Sequence, residues 1–162
     1  MRFPNYLLLL AVSAAAAAAA ETPTAYEVLQ TYDFPVGLLP KGVTGYEIDA
    51  GTGKFAVDLS KTCTFVIKGF TLKYKTKITG TIANDRITNL KGIQVKILIL
   101  WLNIVEVTKT DRGDGGGELQ FSVGVAAAGF PVSSFDESPQ CGCGFKCNHR
   151  SSGFGRFPLL QL

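Results

Sequence analysis

The longest run of alternating residues in the chain lies between Ile87 and Thr108. From Ile93 onward the odd positions are almost all apolar, whereas the even positions are apolar in the middle of the run and polar at both ends. A period of two, rich in β-branched residues, is typical of a strand, and a doubly apolar middle indicates cover on both faces. The pattern predicts the central strand of a sheet, with a bend or bulge near Leu102-Asn103, because a straight strand at ~3.3 Å per residue would be too long for a small domain.

Shorter alternating segments flank this stretch, and turn-forming residues such as Gly, Asn and Asp separate them, as is typical of β-hairpins. Upstream of them, Thr24 to Tyr32 predicts a helix, because Thr24 and Glu27 have the spacing of a capping box. The further strands are predicted at Tyr46–Ile48, Phe55–Leu59, Cys63–Lys68, Leu72–Ile82 and Leu119–Val125. Strands joined by local turns favour a mainly β fold, a small antiparallel β-barrel or roll with one N-terminal helix.

The beginning of the chain has the pattern of a secretory leader. Arg2 precedes an apolar segment, and an alanine run ends at Ala20, as at an A-x-A-type cleavage site. The apolar core is shorter than the ~20 residues of a spanning helix. We therefore expect a leader over residues 1–20, a β-domain over 21–141 and a poorly ordered tail over 142–162. The expected location is the secretory pathway, extracellular or apoplastic, with no transmembrane segment in the mature chain.

The charge of the predicted domain is close to neutral. The whole chain has 16 Lys and Arg against 13 Asp and Glu, but residues 21–141 hold only 12 of the basic residues and all 13 acidic ones. The excess of positive charge therefore comes from the leader and the tail. A nucleic-acid-binding module needs a basic face on the folded domain, so the sequence argues against a nucleic-acid partner.

Four cysteines follow the leader: Cys63, Cys141, Cys143 and Cys147. An oxidising compartment favours disulfides, and four cysteines allow three pairings, among which the sequence does not choose. A bond from Cys63 to Cys141 would close a long loop and contribute roughly 2–4 kcal/mol. The last three cysteines and His149 are zinc-type ligands, but their spacing is compressed, so disulfides are favoured over a metal and no cofactor is expected.

Three runs of residues resemble a known family: 38–65, 78–107 and 119–141. Their most specific parts are Leu39-Pro40-x-Gly42, Gly80 to Ile82, Leu90-x-Gly92-x-x-Val95-Lys96, Trp101, and Phe130-Pro131 with Phe135 and Cys141. Over about Tyr26 to Cys141 the chain resembles the plant domain-of-unknown-function 538 family. The resemblance implies a small β-barrel or roll with an N-terminal helix behind a leader. It associates the chain with binding of lipids or other amphipathic molecules, stress responses, trichome growth and an esterase-like activity, none of them an agreed function. The tail after Cys141 departs from the family pattern.

Enzyme chemistry has little support in the sequence. The one histidine, His149, lies in the tail, and Ser133-Ser134 lacks the flanking glycines of a nucleophile elbow. We predict no catalytic residue, and an esterase-like hydrolase is the weakest of the functional hypotheses.

Two binding hypotheses remain. The first is a cavity for an apolar ligand beside the single tryptophan, with a filled core as the alternative. Its predicted residues are Tyr74, Ile97, Ile99, Trp101 and Asn103, with Phe55 and Phe121 as further lining residues. The second is a basic stripe that contacts anionic lipid or wall polysaccharide, with a solvated outer face or a guarded edge strand as the alternative; its residues are Lys73, Lys75 and Lys77. The leading prediction is a secreted, non-enzymatic protein that binds a lipid-like or amphipathic ligand, and a surface interaction module is the runner-up.

Overall fold

One antiparallel sheet organises the part of the chain that the structure, a computed structural model, describes: residues 19–113 and 116–147. Helix α1 (Ala25–Thr31) and a short 3-10 helix (Val36–Leu38) precede the strands, and a second 3-10 helix (Val132–Phe135) follows them. The strands are β1 (Val43–Ile48), β2 (Lys54–Leu59), β3 (Cys63–Ile67), β4 (Phe70–Ala83), β5 (Arg86–Ile97), β6 (Leu100–Asn103), β7 (Glu106–Asp111), β8 (Gly117–Ser122) and β9 (Ala127–Pro131).

Strands β4 and β5 form the centre of the sheet. The strand order is β1-β2-β4-β5-β7-β8-β9, with β3 pairing on β4 beyond the end of β2 and β6 pairing on β5 beyond the end of β7. The prediction of a mainly β, antiparallel fold with one N-terminal α-helix is confirmed in the described residues. The sheet is open between β1 and β9, so the closed barrel is not confirmed.

The predicted central strand is confirmed as far as Ile97, which ends the central strand β5, but its continuation is wrong because the chain reverses there. Strand β5 ends at Ile97, Leu98 and Ile99 form a two-residue turn, and β6 runs back along β5, pairing Val95 with Leu102. A second break, at Ile104 and Val105, separates β6 from β7 close to the predicted bend. The reversal matters for function, since paired residues share a face: Leu102 joins Val95 on the buried face and Trp101 joins Lys96 on the outer face.

Helix α1 begins where the capping box predicts. The Glu27 backbone N–H donates to Thr24 Oγ1 at 3.2 Å, and the Thr24 backbone N–H donates to Glu27 Oε2 at 2.6 Å. The helix buries Ala25 and Leu29 against the sheet. These reciprocal bonds satisfy backbone donors that a helix N-terminus otherwise leaves free.

Two tyrosines fasten the segment after α1 to the sheet. The Tyr74 hydroxyl, on β4 and 1% exposed, donates to the Leu38 carbonyl at 2.9 Å, and the Tyr26 hydroxyl donates to the Pro40 carbonyl at 2.7 Å. Burial raises the pKa of Tyr74. The Leu39-Pro40 motif is held against the core in this way, because the Leu38 and Pro40 carbonyls accept these two hydrogen bonds.

Gly92 lies at an irregularity in the pairing of β4 with β5. Its φ is +97°, and a Cβ at this position would collide with the Lys77 carbonyl oxygen. The β4–β5 register shifts between Tyr74 and Thr79, so a bulge brings the two backbones together here. Only glycine fits both the conformation and the space.

One disulfide holds the C-terminal segment against β3, and a second closes a short loop within that segment. Cys63 is bonded to Cys141, 78 residues away, and Cys143 is bonded to Cys147. The Gly142 backbone N–H donates to the Thr64 carbonyl at 2.7 Å, and the Phe145 ring lies 6.2 Å from that of Phe65. Residues 142–147 therefore pack on the sheet, although they fall in the predicted tail.

The domain boundaries remain predictions. Most of the expected leader, residues 1–18, and the last part of the tail, residues 148–162 with His149, lie outside the described residues. Among the residues that are described, no helix has the length and apolar character needed to cross a bilayer.

Candidate functional site

The predicted ligand residues do not lie together around one cavity. Tyr74 is a core residue, bonded to the Leu38 carbonyl. Trp101 lies on the outer face, and so does Asn103, whose side chain accepts a hydrogen bond from Gln94 at 3.0 Å. Ile99 is 87% exposed in the β5–β6 turn. Of the predicted residues, Ile97 and Phe121 line one apolar pocket, and Phe55 and Phe121 line a second, smaller one.

Lysine side chains, and not a ligand-sized cavity, lie over the Trp101 ring. The Lys73 ammonium lies 3.8 Å from the ring centroid, and that of Lys96 lies 6.0 Å away. Both distances are in the range in which a cation is attracted by the face of the ring. The outer face of β4, β5 and β6 thus has a small basic and aromatic cluster.

The three lysines of the predicted basic stripe, Lys73, Lys75 and Lys77, have different surroundings. Lys73 is held over Trp101, and Lys77 forms an ion pair with Asp58 at 3.0 Å. Lys75 is exposed, in the irregular part of β4. The three lysines do not form one uniform patch of free charge, and their predicted role in partner binding stays a prediction.

The inner face of the sheet has an apolar pocket between two groups of strands. Its volume is about 240 Å³, and β4, β5 and β6 form one side while β8, β9 and the second 3-10 helix form the other. Apart from backbone atoms, only aliphatic and aromatic residues line it: Ile67, Phe70, Leu72, Val95, Ile97, Leu102, Ile104, Phe121, Val123, Val125, Ala126, Ala127, Ala128, Phe130 and Phe135. Such a site favours an apolar group and offers no charged side chain to hold a head group.

Aromatic side chains form the floor of this pocket. The Phe130 ring contacts Phe70 and Phe121 edge-on, with centroids 5.6 and 5.8 Å apart, and Phe121 lies 5.5 Å from Phe135. Edge-to-face pairs at these distances are favourable and fix the rings relative to each other. The pocket is therefore built into the packing of the fold.

A second void lies under α1, next to Leu29, Ile78 and Val107. Its volume is about 50 Å³, less than the ~150 Å³ in which an engineered apolar cavity binds benzene. We assign it to imperfect packing of the core.

The pocket opens at one end of the sheet, which we call the open end. Here the β3–β4, β5–β6 and β8–β9 turns lie together, since Thr71 pairs with Lys96 and Val125 lines the same pocket as Ile97. Large apolar side chains project from this end into solvent. They are Leu98 at 90% exposure, Ile99 at 87%, Leu100 at 61% and Val125 at 96%.

The opposite end of the sheet, which we call the polar end, is closed by an ion-pair cluster. The Lys109 ammonium, whose side chain is 11% exposed, lies 2.5 Å from Asp33 and 3.6 Å from Asp111, with Asp85 4.0 Å away. The cluster connects the segment after α1, through Asp33, to the β4–β5 turn and to β7. No group of metal-ligating side chains is found within the described ranges.

The charges in this cluster shift one another's protonation. Hydrogen bonds from Lys109 and with Asp85 lower the pKa of Asp33, whereas the bond with Asp33 and lost solvation raise the pKa of Asp85. Burial alone would lower the pKa of Lys109, but the hydrogen bond to Asp33 and the surrounding carboxylates more than offset it, and that pKa is raised. At neutral pH the lowered pKa of Asp33 and the raised pKa of Lys109 stabilise the fold, whereas the raised pKa of Asp85 opposes it. None of these three residues lines the pockets described above.

Among the described residues, no histidine lies beside the two serines of the hydrolase hypothesis to act as a general base. Ser133 and Ser134 lie in the second 3-10 helix, beside an open surface groove with Asp136 and Glu137. His149 lies outside the described residues.

Most of the pocket residues cannot be predicted from the alternation pattern, for a definite physical reason. Treating residues 93–107 as one strand put Trp101 on the face of Val95 and Ile97, whereas the β5–β6 turn puts Leu102 there. Phe130 and Phe70, which form the floor, lie outside the predicted strands. Phe130-Pro131 is among the most specific motifs of the family resemblance, and this motif is the sequence signal that points to the floor.

Comparison with known proteins places the chain in a family. The family model described as "Protein of unknown function, DUF538" matches residues 25–136. A curated relative from Arabidopsis thaliana, named Uncharacterized protein At5g01610, is 32% identical over 83 residues. That match covers 51% of this chain and 48% of the relative, so the chain spans about half the length of the curated relative that it matches. The family match extends from α1 to the second 3-10 helix and includes every strand described above, so the chain belongs to the DUF538 family.

Proposed function

We propose that this protein is a secreted, non-enzymatic binding protein that holds the apolar part of an amphipathic, lipid-like ligand in the inner-face pocket. One observation carries the proposal: a pocket of about 240 Å³ with purely apolar side chains opens to solvent at the end of the sheet. Filled cores rarely leave such a space, since protein interiors are packed as densely as organic crystals. Secretion is supported by the leader pattern and agrees with the two disulfides.

The size of the pocket limits the ligand. An apolar cavity of ~150 Å³ accommodates benzene, so about 240 Å³ suits a single acyl segment or one small ring system rather than a two-chain lipid. Each CH₂ group that enters contributes about 0.8 kcal/mol. Because no charged side chain lies inside, the polar group of the ligand stays at the mouth, where Lys68 lies in the turn between the lining residues Ile67 and Phe70.

The test is binding of a fluorescent fatty-acid analogue. We expect saturable binding that Ala128→Phe abolishes, because Ala128 lines the pocket and is partly buried on β9. Ala83→Phe is the matched control, since Ala83 is exposed at the other end of β4 and its change should leave binding intact. Equal binding by parent and Ala128→Phe, or no saturable binding by the parent, would contradict the proposal.

A further inference from the structure

The open end of the sheet bears an apolar group that water should disfavour. We define the apolar tip as Leu98, Ile99, Leu100 and Val125; the first two and Val125 are each at least 87% exposed. Single exposed apolar residues are common on soluble proteins, but contiguous apolar groups mark interaction sites. The tip comes from two separate turns, β5–β6 and β8–β9, which both border the pocket mouth.

Leu98 is unfavourable in a second way. Its φ is +55°, at the first position of a two-residue hairpin turn where glycine is preferred. The residue at this position therefore costs conformational energy as well as exposing an apolar side chain. A glycine would serve the fold better, so the folded structure in water does not account for the leucine.

The turns around the tip carry only positive charge, although Asp136 and Glu137 of the C-terminal segment line a surface groove together with Lys68. The segments 66–73, 94–103 and 123–131, which form the open end, contain three lysines and no acidic residue. The lysines are Lys68 in the β3–β4 turn, Lys73, and Lys96 beside Ile97. Lys73 and Lys96 also lie near Trp101, the residue that follows Leu100 in β6. Aliphatic residues at a tip, with tryptophan and lysines one layer behind, match the layers of a membrane interface.

From these observations we infer that the open end of the sheet docks on an anionic phospholipid bilayer. The apolar tip enters the boundary between head groups and acyl chains, Trp101 lies at head-group depth, and Lys68, Lys73 and Lys96 contact the phosphates. Because the tip surrounds the pocket mouth, docking would let a ligand pass between bilayer and pocket without crossing water. That last step rests on the proposed function; docking itself does not.

Vesicle binding tests the docking, with vesicles made of phosphatidylcholine and phosphatidylserine in equal parts. The parent should bind, and Leu98→Gly/Ile99→Ser should bind about tenfold to a hundredfold more weakly, since it withdraws two large apolar side chains from the bilayer. Val105→Ser is the control: Val105 is 39% exposed between β6 and β7, and its change should leave binding unaltered. Lys68→Gln and Lys96→Gln should each weaken binding about fivefold.

Trp101 is the single tryptophan of the chain and reports depth directly. Lipids brominated near the head group should quench its fluorescence more than lipids brominated near the chain end. Leu98→Gly should also raise the melting temperature of the free protein while it weakens vesicle binding, so misfolding cannot explain the loss. Parent-like vesicle binding by Leu98→Gly/Ile99→Ser, no quenching of Trp101, or a dimer in solution that the same variant dissociates would each overturn the inference.

The two proposals fail in different ways. Ala128→Phe fills the pocket and should still bind vesicles, because it leaves the tip unchanged. Leu98→Gly/Ile99→Ser should still bind the soluble fatty-acid analogue. Loss of vesicle binding in Ala128→Phe would show that the bilayer contacts the pocket rather than the tip, and would contradict docking as inferred here.

Discussion

The two ends of the sheet use opposite chemistry in their turns. At the polar end, Asp49 accepts hydrogen bonds from the Gly51 and Thr52 backbone N–H groups at 2.8 and 3.2 Å, and the cluster of Lys109 with Asp33, Asp85 and Asp111 links three elements. At the open end, Leu98 and Ile99 replace the usual polar turn residues. The same sheet therefore has polar turns at one end and apolar turns at the other, and the apolar turns are those proposed to meet an apolar partner.

Different interactions also hold the two ends. Ion pairs close the polar end, whereas the Cys63–Cys141 disulfide fastens the segment with Phe135 and Phe145 beside the pocket floor. An unfilled pocket lacks the stability that buried apolar side chains would contribute in its place. We expect the Cys63–Cys141 disulfide to offset this loss, so substitutions at the two ends should affect stability through different interactions.

The largest effect should come from removing the disulfide that fastens the C-terminal segment beside the pocket floor. Cys63→Ala/Cys141→Ala opens a link across 78 residues, so we expect the free energy of unfolding to fall by roughly 2–5 kcal/mol. Cys143→Ala/Cys147→Ala, which opens a link across 4 residues, should cost about 2 kcal/mol or less. Urea unfolding of both variants measures the difference, and equal losses would contradict the assignment of the long link as the main fastening.

The stability of the polar end should depend on the Lys109 ammonium. Lys109→Met leaves three carboxylates without their common cation, and we expect a loss of roughly 1.5–3 kcal/mol in the free energy of unfolding. Lys77→Met is the control, because its ion pair with Asp58 is exposed on both sides and should contribute less than about 1 kcal/mol. Fatty-acid binding should be unchanged in both; a binding defect in Lys109→Met would mean that the two ends are coupled.

The turns at the two ends should respond to substitution with opposite sign. Leu98→Gly relieves a positive φ and should stabilise the free protein by about 1 kcal/mol. Asp49→Ala removes two hydrogen bonds to backbone N–H groups and should lower the melting temperature. Thermal unfolding by circular dichroism distinguishes the cases, and a lower melting temperature for Leu98→Gly would show that Leu98 contributes to the fold.

The smallest effect is the acid response of the polar end. Asp33 has a lowered pKa, so its contribution to stability is present above the ordinary value of 3.8 and is lost as the pH falls through the lowered value. The Asp33→Asn variant should lack this loss. The same change removes the group that raises the pKa of Asp85, so a carboxyl NMR titration should find that pKa lower than in the parent. An unchanged Asp85 pKa would mean that the two carboxylates do not interact.

Much of the fold is predictable from local chemistry. The Thr24–Glu27 capping box predicts the start of α1, and the Gly51–Gly53 and Asp111–Gly117 turns predict hairpins that are observed. In each case the turn or cap is formed by the residue types that favour it, so the sequence signal and the structure agree.

The candidate site is less predictable, because the turn beside it lacks the polar residues and glycines that usually indicate a turn. The β5–β6 turn consists of Leu98 and Ile99, which give no turn signal, so residues 93–107 have the pattern of one strand. A two-residue turn changes which alternate positions share a face, and this moves Trp101 out of the core and Leu102 into it. Apolar residues in the turn, which suit a membrane interface, conceal it from sequence analysis.

Chemical-shift mapping tests the central claim, that the open end takes up the apolar part of a ligand, most directly. Titration of the ¹⁵N-labelled protein with a single-chain fatty acid should shift amide signals of Leu102, Phe121, Ala128 and Phe130, which line the pocket. Signals of Asp33, Asp85 and Lys109, at the polar end, should stay in place. Shifts centred on the polar end, or no saturable shifts at all, would contradict the account.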